Sequence, residues 1–327
     1  MKKEIESMAE ETKVCDTEQE AANKQKFRVN HSIKTDIPFY IVLIPSALLT
    51  ILFRYLPMFG ILIAFKDFNA LDGIFGSSWA KMGGFENFVV IFTTPNFLDA
   101  IWNTLYINVL NLLITIPAPI ILALLINECS FKPFKKVVQT ISYLPHFLST
   151  AAVIAIVSGL FDQYGLLNSI LYKLGLSEQH LLENPNAFVP TLLITQLWQS
   201  IGWNSIIYLA AISSVNTDLY EAADLDGASR FQQAIHVTLP ALIPTAVMLT
   251  ILGLGSIFGA SFDLMYGLQN PIAWKKENIA TAIWKYGIGE GKYGVSTALG
   301  LMQGVIAFAL TYVANKISDK IVGISMW

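Results

Sequence analysis

Six long apolar stretches alternate with polar segments along the 327 residues of the chain. A helix needs roughly 20 apolar residues to cross a lipid bilayer, because it rises about 1.5 Å per residue. All six stretches reach that length, and Arg54 is the only Asp, Glu, Lys or Arg within them. The pattern therefore predicts an all-α, polytopic membrane protein with six transmembrane helices: Ile37–Phe65, Ala100–Asn127, Val137–Phe161, Phe188–Ser213, Ala241–Phe262 and Val295–Ala314.

The composition favours lipid as the surroundings of this chain. Hydrophobic residues make up 54% of it and charged residues only 14%, whereas soluble domains carry about 25% charged residues. The net charge of −3 gives no electrostatic reason to expect a nucleic-acid partner. Both cysteines, Cys15 and Cys129, are predicted to lie in the cytosol, so neither a disulfide framework nor a metal site is expected.

The distribution of basic residues predicts the orientation of the spans. With the N-terminus in the cytosol, the cytosolic segments hold 13 of the 21 Lys and Arg residues and the external segments hold seven. Cytosolic loops carry an excess of Lys and Arg, so both termini are predicted to be cytosolic in the plasma membrane. The predicted organisation is a cytosolic tail over residues 1–36, a transmembrane domain over 37–317, and a short cytosolic tail over 318–327.

A polar loop between the fourth and fifth spans, residues 216–239, contains residues that typically start and end helices, which predicts two short helices with a bend. Asp218 can cap the first helix, with Glu221 three residues later in a capping-box relation. Gly227 suits the left-handed position that ends a helix. A second helix is predicted at about residues 228–237, and Pro240 is predicted to start the fifth span.

One face of the first loop helix is predicted to be flat and small. Leu219, Ala222, Ala223 and Asp226 fall on that face at helical spacing. Such a face can enter a groove on another protein. A plain surface loop would explain the polarity of this segment but not its start and stop residues for two helices.

The loop sequence YEAADLDGASRFQQAIHVTLP resembles the EAA loop by which permease subunits of binding-protein-dependent ABC importers grip their ATPase. The matching residues are Glu221, Ala222, Ala223, Asp226, Gly227, Ala228, Leu239 and Pro240. Ala234 stands where the family commonly has a bulky aromatic residue, and Val237 where it commonly has isoleucine. By analogy Glu221 would pair with a basic residue of the ATPase, and the implied docking residues are Glu221, Ala222, Ala223, Asp226, Gly227 and Arg230.

The resemblance extends over nearly all of the chain after the N-terminal tail. The stretches at 55–69, 100–127 and 139–150, and the C-terminal NIATAIWKYGI and YGVSTALGLMQGVI, are similar to carbohydrate-importer permeases of the polysaccharide and aldouronate branch, typical of Gram-positive bacteria. The resemblance implies a pore made with a second, homologous permease subunit and two ATPase subunits docked beneath it. It also implies an extracellular solute-binding lipoprotein that delivers an oligosaccharide.

A sugar path needs amides, hydroxyls and aromatic faces, and the spans offer several. The predicted path residues are Tyr106, Asn108 and Asn111 in the second span, Gln196, Trp203 and Asn204 in the fourth, Ser256, Phe258 and Ser261 in the fifth, and Arg54. An interhelical hydrogen bond explains each polar residue equally well. Arg54 could meet a uronate carboxylate, but snorkelling to the outer headgroups is the favoured interpretation.

The sequence carries no pattern for catalysis, a cofactor or ATP binding of its own. The nearest approach to a phosphate loop, Gly287 to Lys292, fails the required spacing. The predicted function is therefore that of a non-catalytic subunit that imports an oligosaccharide by alternating access. The alternatives are import of a peptide or other small solute, an ion-coupled secondary carrier, and a membrane enzyme. A carrier usually needs charged residues at mid-membrane, where these spans offer only Arg54.

Overall fold

The computed structural model describes residues 33–256, 262–269, 276–323 and 325. Most of the predicted N-terminal tail, Cys15, and the predicted path residues Phe258 and Ser261 lie outside these ranges. Clustering of the backbone divides the chain into two units, residues 1–60 and 61–327. The described residues are mostly helical, and their one sheet is a two-stranded ladder.

The described part of the first unit is a helix that changes its winding as it proceeds. Helix α1, Ile33–Thr50, passes into a π-helical turn, Ile51–Tyr55, and then into a 3-10 segment, Leu56–Phe65, that runs into the second unit. Pro57 cannot donate a backbone hydrogen bond, which disfavours continued α geometry here. Regular α-helix therefore ends at Thr50, and Arg54, whose side chain is exposed, lies in the π-helical turn.

A small folded segment follows, built around a buried lysine. Its elements are β1 (Lys66–Asp67), α2 (Gly73–Gly76), β2 (Ser78–Trp79), a 3-10 turn (Met82–Gly84) and α3 (Glu86–Thr93). The strands are antiparallel, with Lys66 opposite Trp79. The Lys66 ammonium donates to the carbonyls of Phe75 and Ser77, at 3.3 and 2.9 Å, and lies 5.3 Å from the Trp79 ring centroid. These contacts hold the two sides of the segment together.

The central helices of the second unit are long and mostly apolar. They are α4 (Pro95–Thr115), α5 (Pro117–Glu128), α6 (Lys132–Tyr143), a 3-10 turn (Leu144–Phe147), α7 (Thr150–Phe161), α8 (Leu166–Lys173) and α9 (Pro185–Ser213). Pro117 stands at the start of α5, and Ile116 before it keeps right-handed helical φ and ψ, so α4 and α5 form one helical run of 34 residues.

The third predicted span, Val137–Phe161, is wrong as a single helix. The chain leaves α geometry at Leu144, because Pro145 cannot continue the hydrogen-bond ladder. A new helix starts after Ser149, whose hydroxyl accepts from the Ala152 N–H at 3.2 Å. The apolar run that can cross a membrane is instead Thr150–Lys173, across α7 and α8.

The remaining elements form the polar loop and the C-terminal helices. They are α10 (Thr217–Leu225), α11 (Arg230–Gln233), a π-helical turn (Ala234–Thr238), α12 (Leu239–Ser256), α13 (Phe262–Leu268), α14 (Ile279–Trp284), a π-helical turn (Lys285–Gly289) and α15 (Tyr293–Val322). Helix α15 continues beyond position 317, the predicted end of the transmembrane domain.

Three apolar clusters hold the second unit together. The first joins α7, α9 and α13 around Phe188, Leu192 and Met265. The second joins α4, α14 and α15, and the third joins α5, α9 and α12 around Tyr208 and Leu242. Helix α9 takes part in two of the three clusters, and it also touches α6 at Gly202, where a Cβ would overlap the Ser142 carbonyl.

Five helical runs among the described residues are long and apolar enough to cross a membrane. They are Pro38–Phe65, Pro95–Glu128, Thr150–Lys173, Arg230–Gly255 and Tyr293–Lys320. Helix α9 is not among them, although it has 29 residues and carries no Asp, Glu, Lys or Arg. Its amides, among them Gln196 and Asn204, lower its hydropathy.

Candidate functional site

The 216–239 loop begins with a capped helix that ends in a tight bend. The Asn216 side-chain oxygen accepts from the Asp218 N–H at 3.0 Å, so Asn216 caps α10 and the prediction of Asp218 as the cap is wrong. Gly227 has φ +77°, which confirms the predicted left-handed residue. The Ala228 N–H donates to the Ala223 carbonyl at 2.9 Å, and the Gly227 N–H to the Asp224 carbonyl at 3.0 Å. This pair of bonds is a Schellman motif, which seals the end of a helix.

The second half of the loop is continuous with the next long helix. Ser229 caps α11 in a capping box with Gln232, a Ser-x-x-Gln spacing that could have been recognised in the sequence. From there the chain stays helical to Gly255, a run of 26 residues. The predicted helix at about 228–237 is therefore present as Arg230–Thr238, but the prediction that it is separate from the span that begins near Pro240 is wrong. The widened π-helical turn before Pro240 gives its ring room against the preceding carbonyls.

Side-chain contacts fasten the first loop helix to this long helix. The Tyr220 and Thr238 hydroxyls lie 2.9 Å apart, and Thr238 is fully buried. The Gln233 amide donates to the Asp224 carboxylate and, at 3.3 Å, to the Ala228 carbonyl. These contacts make the bend one small folded piece. Sequence reasoning missed them because the residues carry no recognisable motif.

The outer surface of the bend combines small, acidic and large apolar side chains. Glu221, Ala222, Asp226 and Gly227 are exposed, and Ala223 is partly covered. Two large apolar side chains that the sequence analysis did not single out are also exposed, Leu225 at 90% and Phe231 at 73%. Large exposed apolar groups beside polar ones are typical of a protein–protein contact surface.

A cleft of about 450 Å³, here the loop cleft, lies between this bend and the adjoining ends of α5 and α9. It is lined by Asn127, Glu128, Ile212, Ser213, Val215, Thr217, Tyr220, Asp224, Arg230 and Gln233. Arg230, predicted as a docking residue, points a guanidinium nitrogen at the Glu128 carboxylate, 4.0 Å away. Both side chains are more than a third exposed, so this long ion pair stabilises the loop by less than about 1 kcal/mol.

A second cavity, of about 560 Å³, lies beside the start of α4, at the other end of the α4–α5 run. We call it the lysine cavity, and its lining is Asn96, Asp99, Ala100, Asn103, Lys276, Glu277 and Lys285. A smaller space of about 110 Å³, here the helix cleft, is lined by Tyr106, Leu110, Pro185, Asn186, Val189, Pro190, Leu193 and Lys276. Sequence reasoning missed the charged residues of the lysine cavity, because they come from segments about 180 positions apart.

Buried hydrogen bonds fix the wall of the lysine cavity. The Asn103 amide donates to the Glu277 carbonyl at 3.1 Å. The Ile279 N–H donates to the Thr104 hydroxyl at 2.8 Å, and both residues are almost completely buried. The start of α4 and the segment before α14 are thus held together by polar contacts from two adjacent residues.

Glu277, a strongly buried carboxyl group of this wall, has a raised pKa. The Glu277 carboxylate lies 3.7 Å from the Lys285 ammonium, with its side chain 11% exposed. Burial raises the pKa of Glu277 above its ordinary value of 4.5, and the nearby Lys285 charge opposes that shift.

The two sites lie at opposite ends of α4 and α5. Asn96 and Asn103 stand near the beginning of that 34-residue run and Glu128 at its end, which corresponds to about 50 Å of helix. Helix α9 repeats the arrangement, with Pro185 at the helix cleft and Ser213 at the loop cleft. Both helices therefore extend over the full distance between the two sites.

The structure gives the predicted path residues of the second span three different environments. Tyr106 is 45% exposed and lines the helix cleft. Asn108 is buried, and its amide donates to the Thr104 carbonyl one turn earlier, at 2.7 Å. Asn111 has a buried side-chain oxygen without a hydrogen-bond partner among the described residues.

The predicted residues of the other spans are not gathered into the cavities described above. Gln196 also has a buried side-chain oxygen with no partner in the described part of the chain. Trp203 stacks on His146, with ring centroids 4.4 Å apart and planes at 7°. Asn204 is half-buried, Ser256 is the last residue of α12, and Arg54 belongs to the first unit.

Comparison with known proteins places these features in a family. Residues 88–322 match the family described as the binding-protein-dependent transport system inner membrane component. The chain belongs to this family. Members are multi-pass membrane proteins that serve as non-catalytic subunits of ABC transporters, which confirms the predicted class and the predicted absence of enzyme activity.

Two Bacillus subtilis (strain 168) proteins are similar to this family member over most of their length. Protein LplB is 38% identical over 88% of this chain and 91% of its own. The polygalacturonan/rhamnogalacturonan transport system permease protein YteP is 38% identical over 86% of this chain and 87% of its own.

A solved structure shares the fold. A chain of a bacterial ABC transporter involved in the import of the acidic polysaccharide alginate superposes with a TM-score of 0.81 at 36% identity, covering 90% of this chain and 99% of that one. The same likeness holds for that transporter in complex with an alginate pentasaccharide-bound periplasmic protein. The likeness confirms that this chain has the fold of an ABC importer permease.

Proposed function

We propose that this permease imports an acidic oligosaccharide by alternating access, driven by ATPase subunits that dock on the 216–239 loop. The substrate class is supported by the names of similar proteins, which transport polygalacturonan, rhamnogalacturonan and alginate. By analogy with these transporters, the complex contains a second permease, two ATPases and an external binding lipoprotein.

The orientation of the chain follows from its basic residues and from the two separated sites. The 216–239 loop faces the cytosol, the side with more Lys and Arg, and the lysine cavity faces outward. Helix α9 is the sixth span, because it reaches from the level of the helix cleft to the level of the loop cleft. Its amides lower its hydropathy, which is why it is not among the apolar runs. In this proposal those amides face neighbouring helices and the solute path.

The observation that carries the docking proposal is the exposed, internally hydrogen-bonded bend. A docking element must keep its shape under load and must pass that load to the spans. The Schellman motif and the Asn216 cap fix its shape. The contacts from Tyr220 to Thr238 and from Asp224 to Gln233 link it to the helix that runs to Gly255.

Movement of the ATPases is therefore transmitted by a lever. The 26-residue helical run from Arg230 to Gly255 is about 39 Å long. A shift of α10 by a docked ATPase moves the base of this run, and its far end moves with it. Glu221, Ala222, Ala223, Asp226, Gly227 and Arg230 form the docking surface in this proposal, together with Leu225 and Phe231.

The solute passes between the spans along residues that can bind hydroxyl groups. Asn111 and Gln196 offer buried carbonyl oxygens, and the free faces of Tyr106 and Trp203 can stack on sugar rings. Asn108, Asn204, Ser256, Phe258 and Ser261 remain path residues of the proposal, and Arg54 remains a residue that snorkels to the headgroups.

Disruption of the bend should separate the permease from its ATPase without unfolding the spans. We expect Gly227→Pro, or Glu221→Lys combined with Ala223→Trp, to abolish co-purification of the ATPase and ATP-dependent uptake. The reason is that these changes remove the bend or fill the flat face, whereas the apolar clusters of the spans are untouched.

The matched control is Glu178→Lys, which reverses the charge of an exposed glutamate remote from the loop. It should leave ATPase binding and membrane insertion unchanged. An intact permease–ATPase complex carrying the loop substitutions would refute the docking assignment.

A further inference from the structure

The lysine cavity and the helix cleft meet at one side chain. Lys276 lines both of them, the lysine cavity together with Asn103 and the helix cleft together with Tyr106. We propose that Lys276 binds the carboxylate of an acidic sugar and guides it from the lysine cavity into the helix cleft. This inference rests on the proposed import of acidic oligosaccharides.

The charges of the lysine cavity leave Lys276 available for a ligand. The other lysine of the cavity, Lys285, lies 3.7 Å from the Glu277 carboxylate. In the part of the chain that the structure describes, no carboxylate lies within 4.0 Å of the Lys276 ammonium. A carboxylate that enters the cavity can therefore form a charge-assisted hydrogen bond with Lys276 without displacing an existing ion pair.

The backbone that carries Lys276 is fixed, although its side chain is long. The next residue, Glu277, accepts a hydrogen bond from Asn103 through its carbonyl, and Ile279 donates to Thr104. The four-carbon stem of lysine lets the ammonium move while the backbone stays in place. The same ammonium can therefore reach a carboxylate on either side of the junction.

The size and lining of the lysine cavity suit an oligosaccharide, and the smaller helix cleft, at about 110 Å³, adds an aromatic face beside it. The lysine cavity, at about 560 Å³, lies in the usual range of small-ligand sites. Its asparagines and Asp99 can hydrogen-bond sugar hydroxyls, and Asp99 and Asn96 are exposed at its rim. Beyond Lys276, the ring of Tyr106 offers an apolar face to a sugar ring.

The test uses the complete transporter with its binding protein in proteoliposomes, and trigalacturonate and an alginate trisaccharide as probes. We expect Lys276→Gln and Lys276→Met to lower ATP-driven uptake of the transported probe, at subsaturating concentration, by about tenfold. Lys276→Arg should restore uptake to within about twofold of the wild type, because it returns the positive charge. Lys173→Gln, which removes an exposed lysine that lines none of these cavities, should have no effect.

The outcomes separate the inference from the proposed function. If the wild type imports a probe but the Lys276 substitutions leave uptake unchanged, or Lys276→Arg fails to restore it, the inference is wrong and the proposed function stands. If the substitutions weaken docking of the sugar-free binding protein, the cavity receives a protein loop and the inference is also wrong. If the wild type imports neither probe, the proposed substrate class fails and the inference fails with it.

Discussion

The two ends of the long helices are built by opposite means. At the loop end, the bend is held by contacts between residues close in sequence, from Ala223 with Ala228 to Tyr220 with Thr238, 18 positions apart. At the cavity end, the wall is held by contacts across 174 and 175 positions, from Asn103 to Glu277 and from Thr104 to Ile279. The bend can therefore form locally, whereas the cavity exists only when α4 and α14 have packed.

The largest effect that would sharpen this contrast is expected from Thr104→Val. The substitution leaves the Ile279 N–H buried without a partner, which should lower the free energy of unfolding by about 2 kcal/mol. Thermal unfolding of the purified permease measures the loss, and binding of the ATPase should not change.

The matched control is Thr140→Val, since Thr140 is exposed and, among the described residues, its hydroxyl bonds only within its own helix. An equal loss of stability in both variants would show that the long-range bond has no special part in holding the cavity wall.

A smaller effect, confined to the loop end, is expected from Gly227→Ala. A side chain at φ +77° costs about 1–2 kcal/mol, and this should weaken ATPase affinity about tenfold without moving the unfolding midpoint of the spans. Gly227→Asn should be milder, because asparagine tolerates the left-handed conformation. Titration of the ATPase onto permease in nanodiscs measures both.

Gly304→Ala provides the comparison for a glycine in a regular helix. A Cβ there meets nothing within 4 Å in the described part of the chain, so ATPase affinity should be retained. A fall in affinity as large as that of Gly227→Ala would contradict the role of the left-handed bend.

The smallest effect concerns the pH response of the cavity end. The pKa of Glu277 is raised in the folded protein. Its contribution to stability is therefore fully present below its ordinary pKa of 4.5 and is lost as the pH rises through the raised value. The wild type should gain stability relative to Glu277→Gln when the pH falls from about 7 to about 5.

Unfolding midpoints of the two proteins at both pH values test this. A difference between wild type and Glu277→Gln that does not change with pH would rule out Glu277 as the source. ATPase affinity of the two proteins is measured in parallel. It depends on the loop end, where the carboxylates are exposed, and serves as the internal reference.

The same contrast explains how much the sequence could reveal. The apolar stretches predicted a multi-pass helical protein because the length and composition of a span are local properties. The bend at Gly227 was predictable for the same reason. The cap at Asn216 was missed because Asp218 offers an equally good capping side chain, and only the backbone decides between them.

Tertiary features were beyond the reach of the sequence. The break of the third predicted span at Pro145 was missed because proline is tolerated inside many membrane helices. Lys276 and Glu277 were not predicted as site residues, because nothing in their local sequence marks them as neighbours of Asn103. The assignment of path residues such as Asn111 and Gln196 stays a prediction, as does the docking role of Glu221.

The contact of α9 with α6 at Gly202 has a mechanical consequence. The two backbones touch there, because no side chain separates Gly202 from the Ser142 carbonyl. Side chains on both sides of this point add to the contact, since Tyr143 bonds to Ser205 and Trp203 stacks on His146. In the proposed alternating-access movement, α6 and α9 should therefore travel together as one piece at this crossing.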